Sequence, residues 1–341
     1  MHGQLSDVEN LTGTITSMKK ASPLSITLTS ILAGGLLHSA CFAGEPAAVF
    51  APVDSVAPAD PFAHTIRPIS SPTLFDLALP RTQIHPVFMY QSLPDSIDTT
   101  LGNLSLDGDF YLYALQIEYA FNERLSLIAM KDGYIDFNPE STLSDTDGWA
   151  NLAAGLKWAF LYQPENAMAA SLSVQVEAPT GNDDVWQGNG DGAIIPTLSG
   201  VKMFDRLQFA DSLGLRIPFD SDAESTSLFG SVHMSYAVTD WFSPVVELNY
   251  FRVLDEGDGG TRFNSHVGGA VPAVATFEGG DLISLGAANA DENPDLLTLA
   301  LGFRIRPSDS IALGFAYEFP LTDDETNLMK NRLTVDCTFT F

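Results

Sequence analysis

From about residue 82 onward the chain alternates apolar and polar residues with period two, in segment after segment of similar length. In 168–178, Ala170, Leu172, Val174, Val176 and Ala178 alternate with Ser171, Ser173, Gln175 and Glu177. In 110–120, Tyr111, Tyr113, Leu115, Ile117 and Tyr119 share one face, while Gln116 and Glu118 lie on the other. Leu297, Leu299, Leu301, Phe303 and Ile305 make a third such row, and Ile311, Leu313, Phe315, Tyr317 and Phe319 a fourth. Successive side chains of a strand point to opposite faces, so this pattern builds strands with one apolar and one polar face. Further segments near 82–92, 125–136, 148–160, 194–204, 207–217, 227–238, 242–253 and 332–341 bring the total to twelve. Each has the ~9–11 residues that carry a tilted strand across a bilayer.

The connections alternate in length. Those around Asn122–Arg124, Leu161–Asn166, Asp205–Arg206, Thr239–Asp240 and Pro307–Asp309 are short. Those at 91–108, 137–147, 179–193, 218–226, 254–295 and 320–330 are long. Short periplasmic turns on one rim and long extracellular loops on the other are the arrangement of an outer-membrane barrel. The charge follows the same division. The six long connections hold 23 acidic residues against Arg262 and Lys330, in a chain of 16 Lys+Arg and 43 Asp+Glu with net charge −27. Such a balance excludes a nucleic-acid partner, which requires a basic footprint. The acidic loops serve solubility, bridge to lipopolysaccharide through divalent ions, or attract cations to the mouth. No run of 18 apolar residues supplies a membrane helix. With 22 Phe, 9 Tyr and 4 Trp, the chain is also too apolar to remain disordered.

At the N-terminus, Met18-Lys19-Lys20, an apolar stretch from Leu24 to Leu37 and small residues ending Cys41-Phe42-Ala43, with cleavage after Ala43, are the parts of a cleavable export signal. The expected domains are a signal peptide over 1–43, with Met18 an alternative start of translation, a Pro/Ala-rich extension or plug over 44–80, and the barrel over 81–341. Export removes Cys41 and leaves Cys337 without an intramolecular disulfide partner. In the last strand, Leu333, Val335, Cys337, Phe339 and Phe341 form an outward ladder. Phe339 and the terminal Phe341 are the expected signal for the barrel-assembly machinery. The fold class is therefore all-β: a transmembrane antiparallel up-and-down β-barrel of about 12 strands. A hairpin hidden in 254–295 would raise the count to 14. The expected location is the bacterial outer membrane, with lipid and lipopolysaccharide as partners.

Twelve strands enclose a lumen between the filled interior of eight and the aqueous channel of sixteen. The residues expected to line it are Glu118, Lys157, Gln175, Glu177, Arg216, His233, Glu247, Asn249, Arg252, Arg304, Arg306, Glu318, Arg332 and Asp336. A hydrated interior explains why such residues sit on strands, either as ion pairs stiffening the wall or as a constriction selecting solutes. Glu318 and Arg332 flank one long loop and are expected to pair.

One lower-ranked reading is catalytic. His233 and Ser235 share a strand face, and a three-residue turn would set His233 opposite Glu247, giving a nucleophile, base and orienter. The His-x-Ser with a later Glu also resembles lipid A deacylases. Residues i and i+2 on a strand lie ~7 Å apart, long for a Ser–His hydrogen bond, and the lumen is the wrong side for a lipid, so the expectation is no enzyme. The Asp183, Asp184 and Asp191 loop is a candidate Ca²⁺ site without EF-hand order, and no cofactor is expected.

The loop Ala178-Pro179-Thr180-Gly181-Asn182-Asp183-Asp184, with Gly188, Gly190 and Gly192 and then Pro196, carries a resemblance. So do Trp241-Phe242-Ser243-Pro244, Glu247-Leu248-Asn249, Leu301-Gly302-Phe303-Arg304 and Tyr317-Glu318-Phe319-Pro320-Leu321-Thr322-Asp323. Over roughly 103–341 the chain resembles the phenol meta-pathway degradation (MetA-like) outer-membrane protein family. The resemblance implies a channel admitting hydrophobic or aromatic compounds. The expected function is passive uptake of small solutes through a porin-like channel; a closed structural barrel is the alternative.

Overall fold

The computed structural model describes residues 60–259, 262–272 and 275–341. The expected signal peptide, and the extension as far as residue 59, lie outside the described residues.

Twelve antiparallel strands close into one barrel. They are β1 (Gln83–Ser92), β2 (Gly108–Asn122), β3 (Leu125–Lys131 and Tyr134–Pro139), β4 (Thr146–Trp149 and Leu152–Gln163), β5 (Met168–Ala178) and β6 (Ala193–Phe204). They continue as β7 (Leu207–Pro218), β8 (Thr226–Tyr236), β9 (Phe242–Asp255), β10 (Asp295–Ser308), β11 (Ile311–Pro320) and β12 (Asn331–Thr340). Each strand pairs with its neighbours in sequence, and β1 closes the ring by pairing with β12, Gln83 opposite Thr340. Closure leaves no edge, so every ladder N–H and C=O finds a partner without water. The long connection 254–295 does contain a hairpin, Arg262–Asn264 with Ala270–Pro272, but it forms a separate two-stranded sheet. The fourteen-strand alternative is thereby corrected to twelve.

The barrel is inverted relative to a water-soluble protein. Tyr113, Leu115, Ile117, Leu156, Trp158, Val176, Leu198, Leu301 and Leu313 are exposed outside, while Glu118, Lys157, Glu177, Glu247 and Arg304 are buried inside. An apolar belt of this extent suits hydrocarbon. Aromatic rings gather at its two borders. Trp158 meets Phe160, Phe204 meets Phe209 and Trp241 meets Phe242 near the short turns; Tyr134 meets Trp149 and Phe88 meets Tyr111 near the long loops.

Many inward positions are small, among them Ser126, Ser171, Ser173, Ser212, Ser231, Ala169, Ala210, Ala300 and Ala316, all buried. Small residues leave room that the wall cannot fill, and residues 60–82 occupy it. Phe62, Leu77, Ala78 and Leu79 pack on Ala169, Val201, Met203 and Ala210. Ile66 and Ile69 pack on Val245, Ala300 and Ala316. The luminal segment turns back on itself at Ser71, whose φ of 47° is left-handed and whose carbonyl accepts from the N–H of Leu74 and Phe75.

Above the barrel, the long loops share an apolar core that includes Leu93, Ile97, Leu106, Phe110, Phe137, Trp186, Phe263, Phe277, Leu282, Ile283 and Leu285. Trp186 sits between Phe137 and Phe263, with ring centroids 4.7 and 5.1 Å away. These loops form a folded cap.

Candidate functional site

Several polar side chains of the wall bind the luminal segment. On β9, Glu247 accepts from the N–H of Ile69 at 3.0 Å and of Ser70 at 2.7 Å. On β7, the Gln208 amide brackets Ile66, accepting from its N–H and donating to its carbonyl, both at 2.8 Å. Gln116 on β2 donates to the Pro72 carbonyl at 2.8 Å and accepts from Arg67 at 3.2 Å. Lys157 on β4 lies 2.8 Å from Asp76 and 2.7 Å from Glu118, and Arg67 lies 3.4 Å from the same Asp76. A buried charge is tolerated when it is paired and hydrogen-bonded, and here the partners come from the chain's own N-terminal region.

The other expected lumen residues fall into clusters. Arg304 makes a two-pronged bond to Asp336, both contacts at 2.8 Å, and Asp336 also holds His85 Nε2 at 2.8 Å. Glu177 gathers Lys131 at 2.7 Å, Arg216 at 3.2 Å and Asn151 at 2.8 Å; Arg216 reaches on to Glu224 at 2.7 Å. Gln175 is buried inside. Arg306 lies at the short-turn rim, bonded to the Ala63 and Asp240 carbonyls and to His64. Glu318 and Arg332 lie 3.6 Å apart, but the hydrogen bonds of Arg332 go to Asp281 and Gln91.

Arg252 departs from expectation. It does not join Glu247 and Asn249 in the lumen, because an even-numbered residue of β9 takes the opposite face. It is partly exposed and pairs with Asp295 at 2.7 Å on β10.

His233, Ser235 and Glu247 are brought together. His233 stands opposite Glu247 in the β8–β9 ladder, with Nδ1 2.7 Å from Glu247 Oε1 and Nε2 2.9 Å from Ser235 Oγ. The expected obstacle of strand spacing is overcome by side-chain reach: the imidazole leans along the strand and closes the gap between the two Cβ positions. The order is that of a nucleophile, base and orienter. Yet His233 and Glu247 are fully buried and Ser235 is 4% exposed, beneath the luminal segment and with Phe75 edge-on to the imidazole.

Asp183, Asp184 and Asp191 are not gathered into one cluster. Among the described residues no group of three or more His, Cys, Asp or Glu side chains could hold a metal ion. Instead Asp183 and Asp184 open a 3₁₀ turn, and their carbonyls accept from Trp186 and Thr146.

Residues missing from the expected lumen set include Arg67, Asp76, His85, Gln208 and Asp281, and also Gln116, which the alternation places on the polar face beside Glu118. A signal existed for two of them: Arg67 and Asp76 are the only Arg, Lys, Asp or Glu in the apolar stretch 61–80.

One irregularity of the wall exchanges partners along a strand. β2 changes partner from the first half of β3 to the second, and across the break the Leu115 N–H donates to Asp132 at 2.9 Å. Outside this break lies an apolar recess of about 780 Å³, lined by Phe88, Tyr113, Leu115, Trp149, Leu152 and Leu313 among others. A polar cavity of about 600 Å³ lies at the short-turn rim, where Arg81 and Arg306 face the luminal segment.

No protein-family model matches the chain. No curated protein matches it either. Among solved structures it is similar to the COG4313 outer membrane channel from Pseudomonas putida F1, at 15% identity and a TM-score of 0.52, over 77% of this chain and 96% of that one. The NanC porin (7% identity, 76% of this chain and 100% of that one, TM-score 0.46) and the KdgM porin (12%, 76% and 99%, 0.39) are more distant in shape. At these identities the likeness is one of fold, and the fold is that of an outer-membrane β-barrel.

Proposed function

We propose that this protein is a passive outer-membrane channel for small solutes, held closed in the present conformation by residues 60–82. The observation that carries this reading is the luminal segment itself. It is held by side chains of β2, β4, β7 and β9 through separate hydrogen bonds and ion pairs and by two separate apolar clusters, rather than by one continuous apolar core. A wall that only needed filling would be packed with large apolar residues, as small barrels are. Small inward residues with polar groups at intervals make a passage whose occupant can leave.

The apolar recess on the outer wall supports hydrophobic or aromatic compounds as the solute class. So does the dry apolar cap, which opposes entry of hydrated solutes along the barrel axis.

The test is conductance of the refolded protein in a planar bilayer, with and without residues 44–80. Discrete steps that grow on truncation are expected. A second reading, a permanently closed structural barrel, is favoured by the same folded cap. Silence of both proteins would select it over the channel.

A further inference from the structure

A ring of polar contacts runs through three parts of the molecule that are far apart in sequence. It starts in the luminal segment at Ser70, whose Oγ accepts from Asn249 Nδ2 at 2.9 Å. Asn249 donates also to Glu318 Oε1 at 2.9 Å. Glu318 lies 3.6 Å from Arg332. Arg332 grips Asp281 with two bonds of 2.9 and 3.1 Å. Asp281 belongs to the long connection between β9 and β10, and its carbonyl accepts from Thr73 Oγ1 at 3.1 Å. Thr73 is back in the luminal segment, at the turn three residues beyond Ser70.

We propose that the luminal segment and the inward-folded stretch 275–290 open and close as one gate, with Asp281 as the removable pin that couples them. The two elements touch at Thr73 and Asp281; Arg332 holds Asp281 directly, and its neighbour Glu318 reaches Ser70 through Asn249. Arg332 is 2% exposed and requires a carboxylate wherever the loop stands, because an unpaired buried charge is costly. It has two. Asp281 comes from the loop and Glu318 from the neighbouring strand β11, opposite Arg332 in the ladder. When the loop withdraws and takes Asp281 with it, Glu318 keeps the guanidinium paired. The wall therefore stays electrically satisfied in both states, which a single carboxylate would not allow. Withdrawal also removes the acceptor of Thr73, and movement of Glu318 toward Arg332 competes with its bond to Asn249, which holds Ser70. Loss of the loop thus loosens the luminal segment at both ends of its turn. Within the loop Glu278 accepts from the N–H of Leu285 at 2.6 Å and of Ala287 at 3.0 Å, and it also accepts from Ser225 Oγ at 2.6 Å, so withdrawal of the loop must break that bond to the β7–β8 connection.

Coupling of this kind is reciprocal: each element must change the stability of the other by the same factor. The experiment is hydrogen exchange by mass spectrometry on the full-length protein refolded in lipid vesicles. Asp281→Asn should raise exchange of the amides in 66–75 by about fivefold to tenfold, and Thr73→Val should raise exchange at 282–287 to a similar degree. Asp184→Asn, in a different loop, serves as control and should alter neither. If either substitution speeds exchange only in its own element, the two parts open independently and the proposal is wrong. The readout needs no solute and no current, so a barrel that never conducts would overturn the channel reading while leaving this coupling to be decided on its own.

Discussion

Glu247 shows how one side chain can organise a lumen. Its two oxygens accept from Ile69, Ser70 and His233 in a site with no exposure. Replacing it with Ala would strand two buried N–H groups and an imidazole, a loss of about 2–5 kcal/mol in urea unfolding of the refolded barrel. Ser235→Ala removes one hydroxyl from the same chain of bonds and should lose only about 1 kcal/mol. A fluorophosphonate probe should fail to label Ser235 in the intact protein; labelling would revive the hydrolase reading. The pairing of His233 with Glu247 was readable from turn length, but the Ser235 contact was not, because period-two spacing describes Cβ positions and not imidazole reach. Glu278, in the cap, is different. Burial pushes its carboxyl above the usual range, against the opposing effect of its hydrogen bonds to Ser225, Leu285 and Ala287. A carboxyl raised on folding favours the folded cap below its ordinary value, and that contribution is lost as pH rises through the raised one. Limited proteolysis of the 256–294 connection should therefore quicken from acid toward neutral pH, and less so in Glu278→Gln.

Strand elements were the most legible part of the chain, since alternation over ten residues leaves little freedom in which face is buried. Arg252 is the instructive exception: counting parity from Glu247 already assigns it to the outer face, and its charge was a poor guide. By the same parity Cys337 faces outward, beside the recess on the wall. A water-soluble maleimide should leave it unmodified in vesicles, whereas a membrane-permeant one should react. The break in β3 had no pattern to announce it beyond Gly133. That residue has φ of 121°, and a Cβ there would stand 2.6 Å from the Tyr113 carbonyl oxygen. Gly133→Ala should destabilise the barrel by about 1–3 kcal/mol, visible as a lower urea midpoint, while Gly268→Ala in the open should matter less.

At the level of the whole molecule, the field and the closure have separate origins. Acidic residues crowd the long connections, whereas the lumen is a set of locally neutralised clusters such as Arg304–Asp336–His85. Any current should accordingly prefer cations, and the preference should weaken when carboxylates of the 320–330 connection are changed to amides. Retained selectivity after that change would move its source into the lumen. Closure comes from both ends, the cap packing on its own apolar core and the luminal segment binding the wall.

Strand number, facing, rim asymmetry and an inward polar set follow from local periodicity and loop length, and these were open to inspection in the chain alone. What fills the lumen was not. A Pro-rich segment has no periodicity to read, and its partners Gln208, Glu247, Lys157 and Asp281 lie about 80 to more than 200 residues away in sequence. Only closure of the barrel brings them within 3 Å or so of residues 66–76. Tertiary structure alone could decide that the polar interior is occupied, because a buried donor reveals its partner through space and not along the chain.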